Sequence, residues 1–517
     1  MAQNRLARTK VAVCGLGISG LSACKNLTEA GFDVTGFDAS DAIGGLWHYS
    51  EGERTSCLYN TRALVRRRTF GFSDFPYANG DSDVPLEPGE IQAFLESYAR
   101  HFGLEPRLRL KTRVTAVNRV DDKWHLQLTK SDGESEEQVF DRLVLCTGLN
   151  HSPKQVHFEG VDDFKGQVFN THTYKRPKNL DGKRVLIVGL GATATDIARG
   201  LVGIAKSILI SHRHGCLMLP FGKANDICFP PLRTQRDNAR KPVTEQAQVF
   251  HKSFLDMQDE AFNLKPEWGL ANSPPMPYKL PIVGEGFYEH LVSGAVTLVA
   301  GLKRVYESHV ELSDGSSLEV DVIIFSVGYT KSYSLLGPWD PSRDMPQAWK
   351  DAPGSMGRPL PRLYQGIFSL DFPDSLAYLE HVGSTLSATI NGDMASMALA
   401  QVWIGNSKLP SDAEMARNAN KQNQMAISLA SKGEIYDPAM VDRTEWNPWV
   451  DKAAGLGIQD RIGSGWKSWR LMLTDYRLYK TLLDGTFVPQ VYRLFDEGKR
   501  KPWKGARDSF LKANGMS

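Results

Sequence analysis

The clearest pattern of hydrophobic and polar positions lies near the start of the chain. An apolar run at 11–14, typical of a buried parallel strand, leads directly into the turn GLGISG at 15–20. The next residues are apolar at helical spacing, and a second apolar run ends at Asp38. This order of strand, turn, helix and strand is the context that a dinucleotide-binding fingerprint requires. We therefore predict a βαβ unit that binds a dinucleotide.

The glycines of this turn have distinct predicted roles. Gly15 allows the tight turn, Gly17 lets the backbone approach a pyrophosphate, and Gly20 lets the helix pack closely on the strand. The helix amino terminus offers N–H groups to the phosphates. Asp38, about 18 residues after Gly20, is placed to accept a hydrogen bond from a ribose hydroxyl. The alternative is a glycine-rich turn without a ligand.

A second fingerprint follows at 183–198, KRVLIVGLGATATDIA. Here Gly189 and Gly191 precede Ala194, which replaces the third glycine. The next predicted strand closes on Ser211 and Arg213 without an acid, which favours the 2′-phosphate of NADP over the free ribose of NAD. The alternative is that Arg213 is a surface cation. Two fingerprints predict two dinucleotides on one chain, an arrangement that suits a hydride donor and a flavin.

Two further strands repeat one pattern. DRLVLCTGLN at 141–150 and DVIIFSVGYT at 321–330 each follow a Ser-Asp-Gly turn and end at a glycine, where backbone can pass close to a nucleotide. IGGLW at 43–47 is expected to fold over a bound flavin nucleotide, or else to be a simple hydrophobic turn. Together with Asn391, near which another helix is predicted to start, these motifs supply the candidate cofactor-binding residues. They are Gly15, Gly17, Ser19, Gly20, Asp38, Gly45, Leu46, Trp47, Thr147, Gly148, Gly189, Gly191, Thr193, Ala194, Ser211, Arg213, Gly328, Tyr329 and Asn391.

Composition narrows the class of protein. The 517 residues are 41% hydrophobic and 23% charged, with a net charge of +2, which is typical of a globular protein and argues against a nucleic-acid binder. No apolar run approaches the ~20 residues of a transmembrane segment, and the first strand leaves no room for a secretory signal. Six scattered cysteines without a CxxC spacing predict reduced thiols and no metal. We expect a cytoplasmic protein, and a homodimer is left open.

The chain resembles the flavin-containing monooxygenases, the class B type with two dinucleotide-binding domains. The resemblance rests on GLGISG with IGGLW, DFP, FKGQVFNTHTY, GLGATATDIA, SHRHG, FSVGY and the C-terminal stretch at 473–507. It implies an α/β fold with two Rossmann-like domains, in which an NADP domain at 171–330 is inserted into an FAD domain at 1–170 and 331–517. The insertion within the NADP domain is expected at about 216–291, and a helix that starts near Asn391 is expected to face the flavin.

The resemblance also implies the chemistry. NADPH reduces FAD, the reduced flavin takes up O₂, and the resulting C4a-hydroperoxyflavin transfers one oxygen atom to a soft nucleophile, N or S, of a small organic substrate. The alternatives are Baeyer–Villiger oxygenation of a ketone, an NADPH oxidase or reductase that yields peroxide, and a non-catalytic regulator. Tyr174, where the Baeyer–Villiger branch carries Trp, favours the flavin-containing monooxygenase branch.

Two positions depart from the family pattern, so the catalytic residues are unknown. Leu64, ten residues before Asp74 of DFP, occupies the position of the family's Asn, which contacts the oxygenated flavin and NADP; Asn60 lies four residues away. Asn170 replaces the family's His, and His172 follows two residues later. If Leu64 is the equivalent position, one polar contact worth about 1–3 kcal/mol is missing, which favours leakage of peroxide. The tryptophans between Trp446 and Trp469 are expected to be packing residues rather than site residues.

Overall fold

The two predicted dinucleotide-binding turns each lie at the carboxyl edge of a parallel sheet. The computed structural model describes residues 9–52, 54–77, 84–150, 152–223, 230–239, 243–379 and 388–516. Its α/β architecture confirms the fold class predicted from the sequence.

The described strands are β1 (Lys10–Cys14), β2 (Asp33–Phe37), β3 (Gly71–Phe72), β4 (Phe75–Pro76), β5 (Leu108–Arg109), β6 (Thr112–Val120), β7 (Lys123–Lys130), β8 (Ser135–Phe140), β9 (Arg142–Leu145), β10 (Ser152–Pro153), β11 (Gln167–Asn170), β12 (Arg184–Val188), β13 (Ser207–Ser211), β14 (Met218–Leu219), β15 (Ile282–Val283), β16 (Thr297–Val299), β17 (Leu302–Val305), β18 (His309–Leu312), β19 (Ser317–Glu319), β20 (Val322–Phe325), β21 (Tyr329–Thr330), β22 (Leu363–Tyr364), β23 (Phe368–Ser369) and β24 (Leu376–Tyr378).

The described α-helices are α1 (Ile18–Glu29), α2 (Pro88–His101), α3 (Ala192–Leu201), α4 (Leu232–Ala239), α5 (Val243–Ala261), α6 (Tyr288–Val292), α7 (Gln347–Lys350), α8 (Ala388–Trp403), α9 (Asp412–Ala430), α10 (Arg443–Ala454), α11 (Gln459–Ile462), α12 (Trp466–Thr474), α13 (Tyr476–Asp484) and α14 (Ala506–Ala513).

The first sheet has the order β22-β23-β24-β9-β1-β2-β5, and β1 pairs in parallel with β2 and β9. Alternate residues of β1 enter two different hydrophobic cores. Val11 and Val13 pack with α1 and α8, whereas Ala12 and Cys14 pack with the strands β6 to β8. Burial on both faces is the usual reason that a parallel strand is apolar throughout. The first fingerprint is therefore held between two cores.

The second sheet is parallel throughout, in the order β11-β20-β12-β13-β16. Its strand β11 spans the last four residues of the predicted FAD segment, since it begins at Gln167. The connection from β13 to β16 contains α4, α5 and α6, at the place where the insertion is predicted. The domain limits themselves remain a prediction.

A three-stranded antiparallel sheet directly precedes β9 in the first unit and β20 in the second. In one, β7 and β8 are joined by the turn at 131–133; in the other, β18 and β19 are joined by the turn at 313–315. Gly133 and Gly315 both have positive φ, 90° and 85°, which explains the repeated Ser-Asp-Gly. The repeat seen in the sequence thus corresponds to a repeated structure.

The tryptophans of the C-terminal region do not behave alike. Trp446 is 1% exposed, and its indole N–H donates to the carbonyl of Gln365 at 3.2 Å. Trp466 and Trp469 lie on the outer face of α12 and are 66% and 60% exposed. The expectation that these tryptophans are packing residues is therefore wrong for Trp466 and Trp469 on α12.

The cysteines described are buried thiols without disulfide bonds, and Cys228 lies outside the described residues. No cluster of three or more potential metal ligands occurs among the described side chains. Within the same ranges, none of the helices combines the length and the hydropathy needed to cross a bilayer.

Candidate cofactor and active site

The first fingerprint turn is closed so tightly that only glycine fits. Gly15 has a φ of 98°, and a Cβ atom there would overlap the carbonyl oxygen of Cys146. A Cβ atom on Gly20 would overlap the carbonyl oxygen of Gly15, because α1 begins directly against the turn. These contacts bring the amino terminus of α1 to the carboxyl edge of the sheet.

The loop that carries IGGLW lies against this turn. The N–H of Gly44 donates to the carbonyl of Leu16 at 2.9 Å. A Cβ atom on Gly45 would lie 2.9 Å from the Cα of Gly17, which is tighter than real Cβ contacts. Leu46 and Trp47 form a short 3₁₀ helix with Gly45. The loop is thus placed beside the fingerprint, where the sequence predicts that it covers a flavin nucleotide.

The carboxylate of Asp38 holds the turn in shape. Its Oδ2 accepts from the N–H of Leu16 and its Oδ1 accepts from the N–H of Ser40, both at 2.8 Å. Each carboxylate oxygen has a second lone pair, so Asp38 is also able to accept a ribose hydroxyl.

The strand ends around both fingerprints provide room for a ligand. A Cβ atom on Gly148, which follows β9, or on Gly191, which precedes α3, would have no heavy atom within 4 Å. Neither α1 nor α3 has a side-chain cap. Helix amino termini without caps leave N–H groups available for phosphate. The residues present therefore fit a dinucleotide at each sheet.

The second fingerprint repeats the geometry of the first. Gly189 has a φ of 108°, and a Cβ atom there would overlap the carbonyl oxygen of Ser326. Ala194 is fully buried where α3 packs on the sheet, and Thr193 precedes it in the first turn. Gly328 has a φ of 87°, and Tyr329 continues into β21.

The two residues predicted to contact a 2′-phosphate have different environments. Ser211 is 1% exposed and donates its hydroxyl to the carbonyl of Ala300 at 2.9 Å. The side chain of Arg213 is 71% exposed, with its Nη2 3.6 Å from Oε2 of Glu434. Arg213, rather than Ser211, therefore has the exposure that contact with a ligand would require.

The helix predicted near Asn391 begins at Ala388, three residues earlier, directly after residues that are not described. Asn391 is buried. A Cβ atom on Gly392 would lie 3.2 Å from the Cα of Ser19, because α8 packs against the start of α1. The amino-terminal turns of α1 and α8 therefore meet beside the first fingerprint.

Asn60 lies where the two nucleotide-binding units touch. Its Nδ2 donates to the carbonyl of Asp196 in α3 at 2.8 Å, and its carbonyl accepts from Arg199 at 2.5 Å. Among the described residues, the Oδ1 of Asn60 is buried and has no hydrogen-bond partner. Leu64, in contrast, is 43% exposed. Asn60, rather than Leu64, therefore lies in a polar environment between the two units.

Asn170 has a local role. Its Oδ1 accepts from the N–H groups of His172 and Thr173, at 2.9 and 3.0 Å, and so caps the turn after β11. The imidazole Nδ1 of His172 lies 2.8 Å from the hydroxyl of Thr55. The side chain of His172, rather than that of Asn170, thus connects this turn to the loop after IGGLW.

The aspartate of DFP belongs to a buried charged network that the sequence did not predict. Asp74 pairs with Lys25 of α1, and its Oδ2 is 2.9 Å from Nη2 of Arg493. Asp393 of α8 accepts from Asn26 at 2.9 Å in the same network. Polar residues inside a helix that is otherwise buried, as in α1, are the signal that could have indicated it.

The flavin-binding monooxygenase-like family model matches residues 8–515. The chain belongs to this family. It is therefore a flavin-dependent NADPH monooxygenase, with FAD and NADPH as cofactors.

Relatives of this flavin-binding monooxygenase match along nearly all of the chain. Monooxygenase aurF of Gibberella zeae is 37% identical, over 98% of this chain and 97% of the relative. Human dimethylaniline monooxygenase 4 (N-oxide-forming) is 28% identical, over 97% of this chain and 87% of the relative. The structure of S-allyl-L-cysteine S-oxygenase from Allium sativum aligns with a TM-score of 0.63 and 21% identity, over 97% of this chain and 98% of that chain.

Proposed function

We propose that this monooxygenase uses NADPH and O₂ to transfer one oxygen atom to a nitrogen or sulfur nucleophile of a small organic substrate. The observation that carries the proposal is the match over 97% of the chain with a relative named for N-oxide formation. The open edges at Gly148 and Gly191 support a dinucleotide at each sheet.

The side chains and backbone of the protein bind and orient the cofactors in this proposal. When bound, the flavin supplies the redox chemistry, since it accepts hydride from NADPH and reacts with O₂. The N–H groups at the start of α1 and α3 bind the two pyrophosphates, and Asp38 accepts a ribose hydroxyl. The loop with Gly45, Leu46 and Trp47 covers the flavin nucleotide and excludes water.

We assign to Asn60 the polar contact beside the reactive ring. An unpartnered acceptor that is buried between the two units needs a donor, and a cofactor bound there supplies one. This assignment places four additional residues between Asn60 and DFP, compared with the family's usual spacing of ten. It removes the reason for expecting peroxide as the main product.

Product stoichiometry tests the oxygenation. The FAD-loaded protein is given NADPH, O₂ and a panel of amines, sulfides and ketones, and NADPH, oxygenated product and H₂O₂ are quantified. One N-oxide or S-oxide for each NADPH consumed is expected. Turnover of ketones alone would assign the Baeyer–Villiger reaction, and H₂O₂ formation with every substrate would assign an oxidase.

A matched pair of variants tests Asn60. Asn60→Ala is expected to divert about ten times more NADPH to H₂O₂, because one hydrogen bond worth about 1–3 kcal/mol is lost. Leu64→Ala removes a side chain of similar size from the exposed position and is expected to leave coupling unchanged. The opposite ranking would return the role to Leu64.

A further inference from the structure

One carboxylate reaches the edge of the second sheet from a distant part of the chain. Glu434 lies in the connection between α9 and α10. Its Oε1 is 2.6 Å from Nζ of Lys154, and its Oε2 is 3.6 Å from Nη2 of Arg213. The two cations come from different elements, and they converge on this carboxylate.

The positions of Lys154 and Arg213 show where Glu434 lies on the second sheet. Arg213 follows β13, and Nζ of Lys154 would lie 3.9 Å from a Cβ atom on Gly328, which follows β20. Strand β12, which leads into the second fingerprint, lies between β20 and β13. Glu434 therefore lies across the carboxyl ends of these three strands, where a dinucleotide binds in this type of sheet.

The segment that carries Glu434 is anchored by the residues that follow it. The N–H of Tyr436 donates to the carbonyl of Pro277 at 2.9 Å, and Lys331 pairs with the buried Asp437 at 2.9 Å. Arg358 donates to the carbonyl of Tyr436 at 3.2 Å. The side chain of Glu434, which is 34% exposed, is therefore able to move while its backbone stays in place.

We propose that Glu434 occupies the anion position that the 2′-phosphate of NADPH takes, and that NADPH binds by displacing this carboxylate from Lys154 and Arg213. The proposal rests on the proposed use of NADPH at the second sheet. A phosphate and a carboxylate repel each other, so one pair of cations cannot bind both. NADH lacks the 2′-phosphate and does not compete with Glu434, so Lys154 and Glu434 together determine the preference between the two cofactors.

Isothermal titration calorimetry of NADP⁺ and NAD⁺ binding to the FAD-loaded protein tests this exchange without catalysis. Glu434→Gln keeps the size of the side chain and removes its charge. We expect the Kd of NADP⁺ to fall about three- to fivefold, the effect of losing one partly exposed ion pair, while the Kd of NAD⁺ stays within about twofold. Lys154→Met is expected to raise the Kd of NADP⁺ about tenfold, with little effect on NAD⁺.

The control is Glu319→Gln in β19, beside the amino-terminal edge of the second sheet. Glu319 pairs with Arg184 at the start of β12, and its loss is expected to change neither Kd. An unchanged or raised Kd of NADP⁺ in Glu434→Gln overturns the proposal. An equal fall in the Kd of both nucleotides overturns it as well. Thermal unfolding of each variant confirms that the fold is intact.

Arg213→Met separates this inference from the proposed function. If this variant loses the preference for NADP⁺ while Glu434→Gln does not increase it, only the exchange with Glu434 is overturned. If Arg213→Met leaves the preference unchanged, the 2′-phosphate site itself is elsewhere, and the exchange is overturned with it.

Discussion

Asp196, a buried carboxylate in α3 at the contact between the two nucleotide-binding units, makes stability depend on pH. Burial raises the pKa of Asp196 to about 6, although the guanidinium of Arg199 lies 2.8 Å away and lowers it. An unfolded aspartate has a pKa of about 3.9. Between these values the folded state holds more protons than the unfolded state, so stability falls as the pH rises through this window.

Asp196→Asn is expected to remove that loss, because an amide stays neutral at every pH. The free energy of unfolding of the parent should fall by about 2–3 kcal/mol more than that of the variant as the pH rises from about 4 to 6. Denaturant titrations at several pH values measure the difference. Asp344→Asn, which changes a side chain that is 83% exposed, is the control and should follow the parent. Parallel curves for Asp196→Asn and the parent would contradict the assigned pKa.

How well a residue could be predicted from the sequence depended on what fixes its position. Gly15 and Gly189 are required by the local backbone, which has positive φ at both, so the motif alone identifies them. The role proposed for Asn60 depends instead on its contacts with α3, which lies more than a hundred residues later. Counting back from DFP gives Leu64, whereas the role proposed for Asn60 requires four additional residues in this loop, which the sequence by itself does not reveal.

At the scale of elements, the contact between α1 and α8 connects the first fingerprint with the C-terminal half of the chain. Gly392→Val is expected to lower the free energy of unfolding by about 1–3 kcal/mol and to weaken FAD binding, because the added methyl groups meet the Cα of Ser19. Denaturation and FAD titration measure the two effects. Gly89→Val in α2, where a Cβ atom meets nothing within 4 Å, is the matched control and should be neutral or slightly stabilising. Equal effects at both glycines would show that helix packing is not responsible.

Helix α12 shows why burial could not be predicted from its sequence. WKSWRLML is apolar around much of the helix, so periodicity does not identify which face packs on the core. Leu471 contacts the core, whereas Trp469 does not.

Two alanine substitutions compare the buried Trp446 with the exposed Trp469. Trp446→Ala should lower the free energy of unfolding by about 3–5 kcal/mol, because the indole is fully buried and hydrogen-bonded. Trp469→Ala should change it by less than about 0.5 kcal/mol. Denaturant unfolding of the FAD-loaded variants measures both changes. A large loss for Trp469→Ala would mean that another surface covers α12 in solution.

At the scale of the whole molecule, the parallel sheets follow from local patterns, but the connection between the ends of the chain does not. Each sheet is marked by a fingerprint, an apolar strand and a Ser-Asp-Gly turn, all of which are local in sequence. The network of Lys25, Asp74 and Arg493 joins residues up to 468 positions apart (493 minus 25), and each member alone reads as a surface charge.

This network predicts that the C-terminal region stabilises the first fingerprint through charge. Asp74→Asn should lower the free energy of unfolding by about 3–5 kcal/mol, because Lys25 and Arg493 stay buried with one carboxylate fewer. Asp484→Asn is the control, since it breaks an exposed pair with Arg233 and should cost less than about 1 kcal/mol. In the Asp74→Asn background, Arg493→Met should lower the free energy of unfolding by less than it does alone. The reason is that the charge of Arg493 has already lost one of its carboxylate partners in that background. If the two losses were simply additive, Asp74 and Arg493 would be acting independently, and the ends of the chain would be joined by apolar packing alone.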